Sequence, residues 1–194
     1  MKLAIKNNPW NVSRGFPGSH SVKLMHEKLL NWKLNGELNV PVFDKSLRNG
    51  LGDRSHWRLD NPDLLILEGW FLGIKPHPTE INDSSINTIN LSPQESFYIK
   101  KIQNNLNEYL DIWNLIDNFW HFKPLMVEYM NIWKTNQEKE MFLQKGNALI
   151  DEKLSNFLRM LNVSIPHKSF DVIKSYALLL IDQERNLVEA GLNL

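Results

Sequence analysis

The chain has 194 residues, with 22 basic and 22 acidic side chains, no cysteine and seven tryptophans. A length of 194 suits one ordinary domain with a sizeable core, and 42% hydrophobic against 23% charged content excludes disorder. Zero net charge removes any general attraction to nucleic acid or an anionic membrane, and zero cysteine excludes disulfides, thiolate zinc sites, iron–sulfur clusters and cysteine nucleophiles.

Taken in chain order, residues 7 to 20 read as loop, because Asn7, Asn8, Pro9, Gly15, Pro17 and Gly18 all resist regular structure. A helix follows from about Ser21 to Leu34. Val22, Met25, Leu29 and Leu30 share one face, Ser19 or Ser21 can cap it, and Asn35-Gly36 supplies a left-handed stop. Val40 to Phe43 is extended, but Pro41 excludes a central strand position. From Asp44 to Pro62 no helical or strand period is visible. Leu64 to Leu67 is an unbroken apolar run closing on Glu68-Gly69, the pattern of a buried parallel strand. Residues 74 to 92 form a polar connection. Ser92-Pro93-Gln94-Glu95 is a capping box with proline at the first helical position, and its helix carries Tyr98, Ile102, Leu106, Tyr109, Leu110 and Trp113 at helical spacing. A strand is expected within Leu115 to Phe122, helices from about Leu125 to Leu143 and Asp151 to Leu161, and a strand at Ala177 to Ile181. A turn at Asp182 to Asn186 then leads to Leu187-Val188. Trp113, Trp120 and Trp133 are expected in the core. Strands alternating with helices, without repeats or linkers, imply a single α/β domain over residues 1–194. No apolar run approaches the ~20 residues that span a bilayer. The segment Met1 to Lys6 is too short and polar for a signal peptide, so the expected location is cytoplasmic.

Four stretches could carry chemistry. Asp44, Lys45, Arg48, Asp53, Arg54 and Arg58 crowd a glycine-bearing segment; guanidinium groups grip carboxylate or phosphate in bidentate fashion, and acids beside them orient the cations. A solvated loop with internal ion pairs explains the same composition. Glu68 closes an apolar run, where open α/β sheets bind ligands and where a carboxylate can hold Mg²⁺ directly or through water; a solvent-facing strand end is the plainer alternative. Arg14-Gly-Phe-Pro-Gly-Ser-His20 is a rigid turn feeding a helix start, whose free N–H groups favour anions. Lys134, Gln137 and Glu138 share one helix side at i, i+3 and i+4, which suits either a flap over a ligand or a solvated face. The sequence contains no Gly-x-x-x-x-Gly-Lys-Ser/Thr loop and no Gly-x-Gly-x-x-Gly fingerprint. Its six histidines are scattered singly, and His26-Glu27 lacks the second histidine of a zincin.

Jointly, Arg14-Gly-x-Pro-Gly-Ser-His20, Pro41-x-Phe-Asp-Lys-Ser46, Gly50-x-Gly-Asp-Arg54, Ile66-Leu-Glu-Gly-Trp-Phe-Leu-Gly73 and Trp133-x-x-x-Gln-Glu138 resemble the D-glycerate 3-kinase-like proteins. These are P-loop kinases related to uridine kinase, pantothenate kinase and phosphoribulokinase. The resemblance runs from about Asn8 to the carboxyl terminus. It implies a P-loop NTPase-like three-layer sandwich with a parallel sheet and a helical lid over about residues 123–162. It also implies ATP-dependent phosphoryl transfer, with Mg²⁺, to a small hydroxy acid of the D-glycerate kind. In that reading Arg14, Gly18, Ser19 and His20 line the acceptor pocket together with Asp44, Arg48 and Asp53. Lys45, Arg54 and Glu68 act on the transferring phosphate, Glu68 near the metal, while Lys134, Gln137 and Glu138 belong to the lid. Ser19 stands where the family has threonine, Ser21 where it has aspartate, and Lys134 where it has arginine. The family's β1, phosphate loop, α1 and β2 precede the segment matching Asn8, and no match to them is found here. The expectations are therefore an inactive chain on its own that binds no cofactor tightly, with unpaired backbone beside Ile66. A complementing P-loop polypeptide (a split kinase) or a non-catalytic anion-binding protein are the alternatives.

Overall fold

The computed structural model describes residues 8–48, 51–76, 90–146, 148–165, 168–171 and 175–192. Helix α1, Val22–Asn35, ends where Gly36 takes a left-handed backbone (φ 74°) and donates to the Trp32 carbonyl, as the Asn35-Gly36 pair predicts. Two strands follow. β1, Leu38–Asp44, pairs antiparallel with β2, Asp53–Asp60, and the register slips between Pro41 and Phe43. The slip accommodates a proline that has no N–H to donate, the expected behaviour of an edge strand.

β2 corrects the expectation of an irregular segment from Asp44 to Pro62. Its residues are almost all exposed, so no apolar alternation marks it. The strand exists because β1 lies beside it. The converse correction concerns Leu64 to Leu67, which is not a strand among the described residues. It runs without a ladder partner. Leu65 and Leu67 turn toward the core, while Leu64 and Ile66 are 75% and 82% exposed. Period-two orientation is thus kept, and the backbone beside Ile66 pairs with no strand of the described chain.

α2, Pro93–Leu106, opens on the predicted capping box: the Ser92 hydroxyl accepts from the Glu95 amide and the Glu95 carboxylate accepts from the Ser92 amide. The expected long helix continues as a 3₁₀ turn, Asn107–Tyr109, and a short helix α3, Leu110–Trp113. β3 is Trp120–Pro124, α4 Glu128–Lys145, α5 Asp151–Ser164 and α6 Lys168–Asp171. β4, Ala177–Ile181, lies between β3, to which it is parallel, and β5, Leu187–Leu192, to which it is antiparallel. The mixed sheet and its helices make an α/β fold.

The core lies among the helices rather than across the sheet. Trp10, Val12 and Phe16 of the first loop meet Tyr98, Ile102, Leu106, Tyr109, Ile112 and Trp113 of α2–α3, Met160 and Val163 of α5, and Phe71 and Ile74. Trp113 is buried as predicted, whereas Trp120 is 61% exposed and Trp133 only half-buried. Trp120 projects from an edge strand with no described element packed over it.

A buried carboxylate joins three parts of this core. Glu95 accepts from the Trp10 indole (2.9 Å), from Arg159 of α5 through Nε (2.8 Å) and Nη2 (3.1 Å), and from the Ser92 amide. The Arg159 guanidinium foremost holds its pKa down to about 2. A carboxyl depressed in the fold contributes stability that is complete above its unfolded pKa, near 4.5, and is lost as pH falls toward 2. Urea melts of the chain should therefore weaken progressively below pH 4.5. Glu95→Gln should lose on the order of 1–3 kcal/mol at pH 7 and show a flatter acid slope; equal slopes for the two proteins would contradict this assignment.

Candidate functional site

The turn from Arg14 to Ser21 is held by bonds that its residue types dictate. Gly15 (φ 91°) and Gly18 (φ 93°) supply left-handed backbone, and Pro17 stiffens the bend between them. The Ser19 hydroxyl accepts from the Gly15 and Phe16 amides (3.0 and 3.1 Å) and donates to the Phe16 carbonyl at 2.6 Å. Trp70 donates to the Gly15 carbonyl, and Asn105 of α2 donates to the Pro17 carbonyl. The whole turn sits on α2 and the 3₁₀ turn.

Contact there is so close that a Cβ at Gly18 would collide with the Asn105 amide. The Tyr109 hydroxyl lies 3.2 Å from the Gly18 nitrogen and 2.9 Å from His20 Nδ1. His20 also packs against the Phe71 ring, with centroids 5.8 Å apart. Its residue surface is exposed overall, yet burial lowers its pKa from the ordinary value. The two statements fit an imidazole with one edge turned inward and the other open.

The cationic segment forms the loop between β1 and β2 and bends back on itself. The Asp44 carboxylate accepts from the Ser46 amide (2.8 Å) and hydroxyl (2.6 Å), and these bonds lower its pKa. Arg48, itself at φ 53°, pairs with Asp53. Gly52 (φ 78°) leaves the Phe43 ring space that any Cβ would occupy. Two arginines then clasp this loop to the turn. Arg14 Nη1 donates to the Leu51 carbonyl at 3.0 Å, and Arg54 Nη2 donates to Ser21 Oγ at 2.6 Å. Ser21 stands at the N-cap of α1 without bonding its helix through its side chain, and its hydroxyl accepts from Arg54 instead.

Most residues that the sequence singles out therefore gather in one region: Arg14, Gly18, Ser19, His20, Asp44, Arg48, Asp53 and Arg54. Lys45 is exposed beside them and makes no bond among the described residues. Gly50 lies outside the described residues. Glu68 is exposed, with no hydrogen bond or ion pair among the described residues, and so is open to bind. Lys134, Gln137 and Glu138 do interact: Lys134 Nζ donates to both acceptors and sits 5.0 Å above the Phe157 ring. Glu138, however, is 3% exposed and accepts from the Leu149 amide, so it ties α4 to the approach to α5. The sequence pattern missed Tyr109 and Asn105. Tyr109 falls within the apolar spacing that runs from Tyr98 to Trp113, and Asn105 on α2 reads as an ordinary polar helix residue. A surface groove bounded by Trp32, Lys33, Pro62 and Asp117 contains none of the candidate residues.

No protein-family model matches the chain. Among curated proteins it is similar to "Probable ATP-dependent kinase TDA10" of Saccharomyces cerevisiae, 29% identical over 202 residues, covering 94% of this chain and 67% of that protein. It is also similar to "Uncharacterized kinase mug58" of Schizosaccharomyces pombe, 27% identical over 164 residues, with 78% and 57% covered. Among solved structures, D-glycerate 3-kinase from Cryptococcus neoformans var. grubii superposes with a TM-score of 0.81 at 25% identity, covering 95% of this chain and 71% of that one. The chain is thus similar to glycerate kinase-like P-loop kinases. The solved YGR205w protein agrees, with a TM-score of 0.70 at 26% identity and 98% and 71% covered. The chain thus spans between 57% and 71% of these kinases' own lengths. The superposition gives the chain a P-loop kinase fold. No helix among its described residues is long and apolar enough to cross a membrane.

Because Gly18 combines positive φ with direct contact, Gly18→Ala should destabilise the chain by ~1–3 kcal/mol in thermal or urea melts. Adding Asn105→Ala should recover part of that loss by removing the collision, leaving the backbone strain. Full recovery, or no loss in the single variant, would contradict the geometry.

Proposed function

We propose that this chain supplies the acceptor side of an ATP-dependent phosphoryl transfer to a small hydroxy acid of the D-glycerate kind. The observation that carries this reading is the double clasp, Arg14 to the Leu51 carbonyl and Arg54 to Ser21 Oγ, which joins the glycine turn to the cationic hairpin loop. A hydroxy acid presents a carboxylate and hydroxyls within a few ångströms of one another. Guanidinium groups of Arg14, Arg48 and Arg54 suit the carboxylate, and the carboxylates of Asp44 and Asp53 suit the hydroxyls. Lys45, exposed and without a described partner, can move toward charge that accumulates on the transferring phosphate. Holding the acceptor hydroxyl in line is most of what a protein contributes to such a reaction.

Magnesium fits Glu68 by the chemistry of its donor: an exposed carboxylate with no described partner, to which the ion could bind directly or through water. Bound there, the ion would neutralise phosphate charge. For the triphosphate, the 194 residues contain no Gly-x-x-x-x-Gly-Lys-Ser/Thr sequence. For that reason the reading assigns these residues to the acceptor and the lid, with Lys134 and Gln137 on the lid and Glu138 as its anchor. It expects no ATP turnover from the 194 residues alone. The missing phosphate loop also suits a protein that binds anions without catalysis, and assays separate the two.

In calorimetric titration the chain should bind D-glycerate saturably, and Arg54→Ala should weaken binding roughly 10- to 100-fold, the range for losing a charged hydrogen bond. Absence of binding, or an unchanged affinity in the variant, would remove the acceptor assignment. Steady ATP hydrolysis by the purified 194 residues would remove the expectation of inactivity. Supplying in trans the part of the yeast relative outside the match should produce glycerate-dependent ADP release; binding without any such release would favour the non-catalytic reading.

A further inference from the structure

Tyr109 lies 89 residues from His20 in sequence, yet its hydroxyl is 2.9 Å from the Nδ1 of that imidazole. The same oxygen accepts from the Gly18 amide at 3.2 Å, and Tyr109 is fully buried. A backbone amide only donates, so the Tyr109 oxygen is the acceptor of the Gly18 amide, and the buried phenol proton needs an acceptor of its own. Its one proton is left to donate, and the base within reach is His20 Nδ1. A neutral imidazole that accepts at Nδ1 carries its proton at Nε2. Neutrality agrees with the burial that lowers the His20 pKa.

We infer that the Tyr109 hydroxyl locks His20 in the Nε2–H tautomer, making His20 a fixed hydrogen-bond donor to the acceptor's carboxylate rather than a general base. The donor role rests on the acceptor-site reading above; the tautomer does not. The ring packs against Phe71 and stands edge-on to Tyr109, with an interplanar angle of 87°. Nε2 makes no hydrogen bond among the described residues, and His20 as a residue is exposed. His20 is also followed directly by Ser21, the residue that Arg54 grips. A neutral N–H donor next to that guanidinium adds direction to a carboxylate site without adding charge. The imidazole lone pair, by contrast, is occupied by Tyr109 and cannot take a proton from a substrate hydroxyl. Tyr109 is thus a positioning residue acting through His20.

The test uses the full 194-residue chain labelled with ¹⁵N, whose histidine ring correlations report each nitrogen's protonation. At pH 7.5 His20 should show a bare Nδ1 and a protonated Nε2, and Tyr109→Phe should release it to a mixture of tautomers. Adding D-glycerate should shift the Nε2–H resonance of the unmutated protein. His20→Ala should weaken glycerate binding roughly 10-fold, while His20→Gln, which keeps an N–H donor, should recover part of the loss. A protonated Nδ1 in the unmutated chain overturns the lock, and this spectrum decides even where Tyr109→Phe fails to fold. An unaltered tautomer in a folded Tyr109→Phe protein overturns the role of the hydroxyl. Glycerate that binds without moving the Nε2–H resonance overturns the donor role. Glycerate that fails to bind at all overturns the donor role together with the acceptor reading, and leaves the tautomer measurement standing.

Discussion

The candidate site depends on one steric constraint: the Gly18 backbone rests directly on the Asn105 side chain, with no room for a Cβ between them. Close approach at that point brings the turn within hydrogen-bonding range of both Asn105 and Tyr109. From there the order propagates outward. His20 is oriented by Tyr109, Ser21 starts α1 immediately after it, and Arg54 reaches Ser21 from the hairpin. The cationic loop is not anchored by burial, since its residues are mostly exposed; it is anchored by hydrogen bonds to a turn that is itself held by packing.

Division of labour between apolar and polar contacts follows from this arrangement. The helices α2, α3 and α5 provide the dry core, and Glu95 binds α2, α5 and the first loop together with four hydrogen bonds. Exposed ion pairs in the hairpin, such as Arg48–Asp53 and Arg58–Asp60, add little to stability in water. They hold the Arg48 and Arg58 guanidinium groups against the hairpin carboxylates Asp53 and Asp60. The β-strands serve the same end differently. β3 and β4 set the level from which α4 departs, and Trp133 of α4 donates to the Gln183 carbonyl in the turn after β4. α4 is thereby tied to the turn after β4 through Trp133 and to the approach to α5 through Glu138.

The extended segment from Leu64 to Glu68 shows how far local pattern and pairing can part. Its alternate residues take opposite sides, as in a strand, but backbone hydrogen bonds need a second chain segment at the right distance. None of the described residues offers one. Glu68, at the end of that segment, consequently remains on an exposed and unpaired stretch of backbone.

Local signals in the sequence were sufficient for the parts of the fold decided by short-range chemistry. The Gly36 stop, the Ser92–Glu95 capping box, the strand at Ala177 to Ile181 and the helical stripe from Tyr98 to Trp113 each follow from neighbours within a few residues. The crowding of Asp44, Lys45, Arg48, Asp53 and Arg54 in one glycine-bearing segment was also visible, but a solvated loop with internal ion pairs explains it equally, and Arg14 joined them only through the family resemblance. Pairing and burial were another matter. β2 carries no alternation and Leu64 to Leu67 carries a strong apolar run, yet only the first is a strand, since a partner's position rather than composition decides. Glu138 shares a helix side with Lys134 but is drawn inward by the Leu149 amide. Tyr109 looks like any core aromatic until the turn carrying Gly18 and His20 is laid against it. Hydrogen bonds between residues some 90 positions apart leave no periodic trace along the chain, so three-dimensional packing alone decides them.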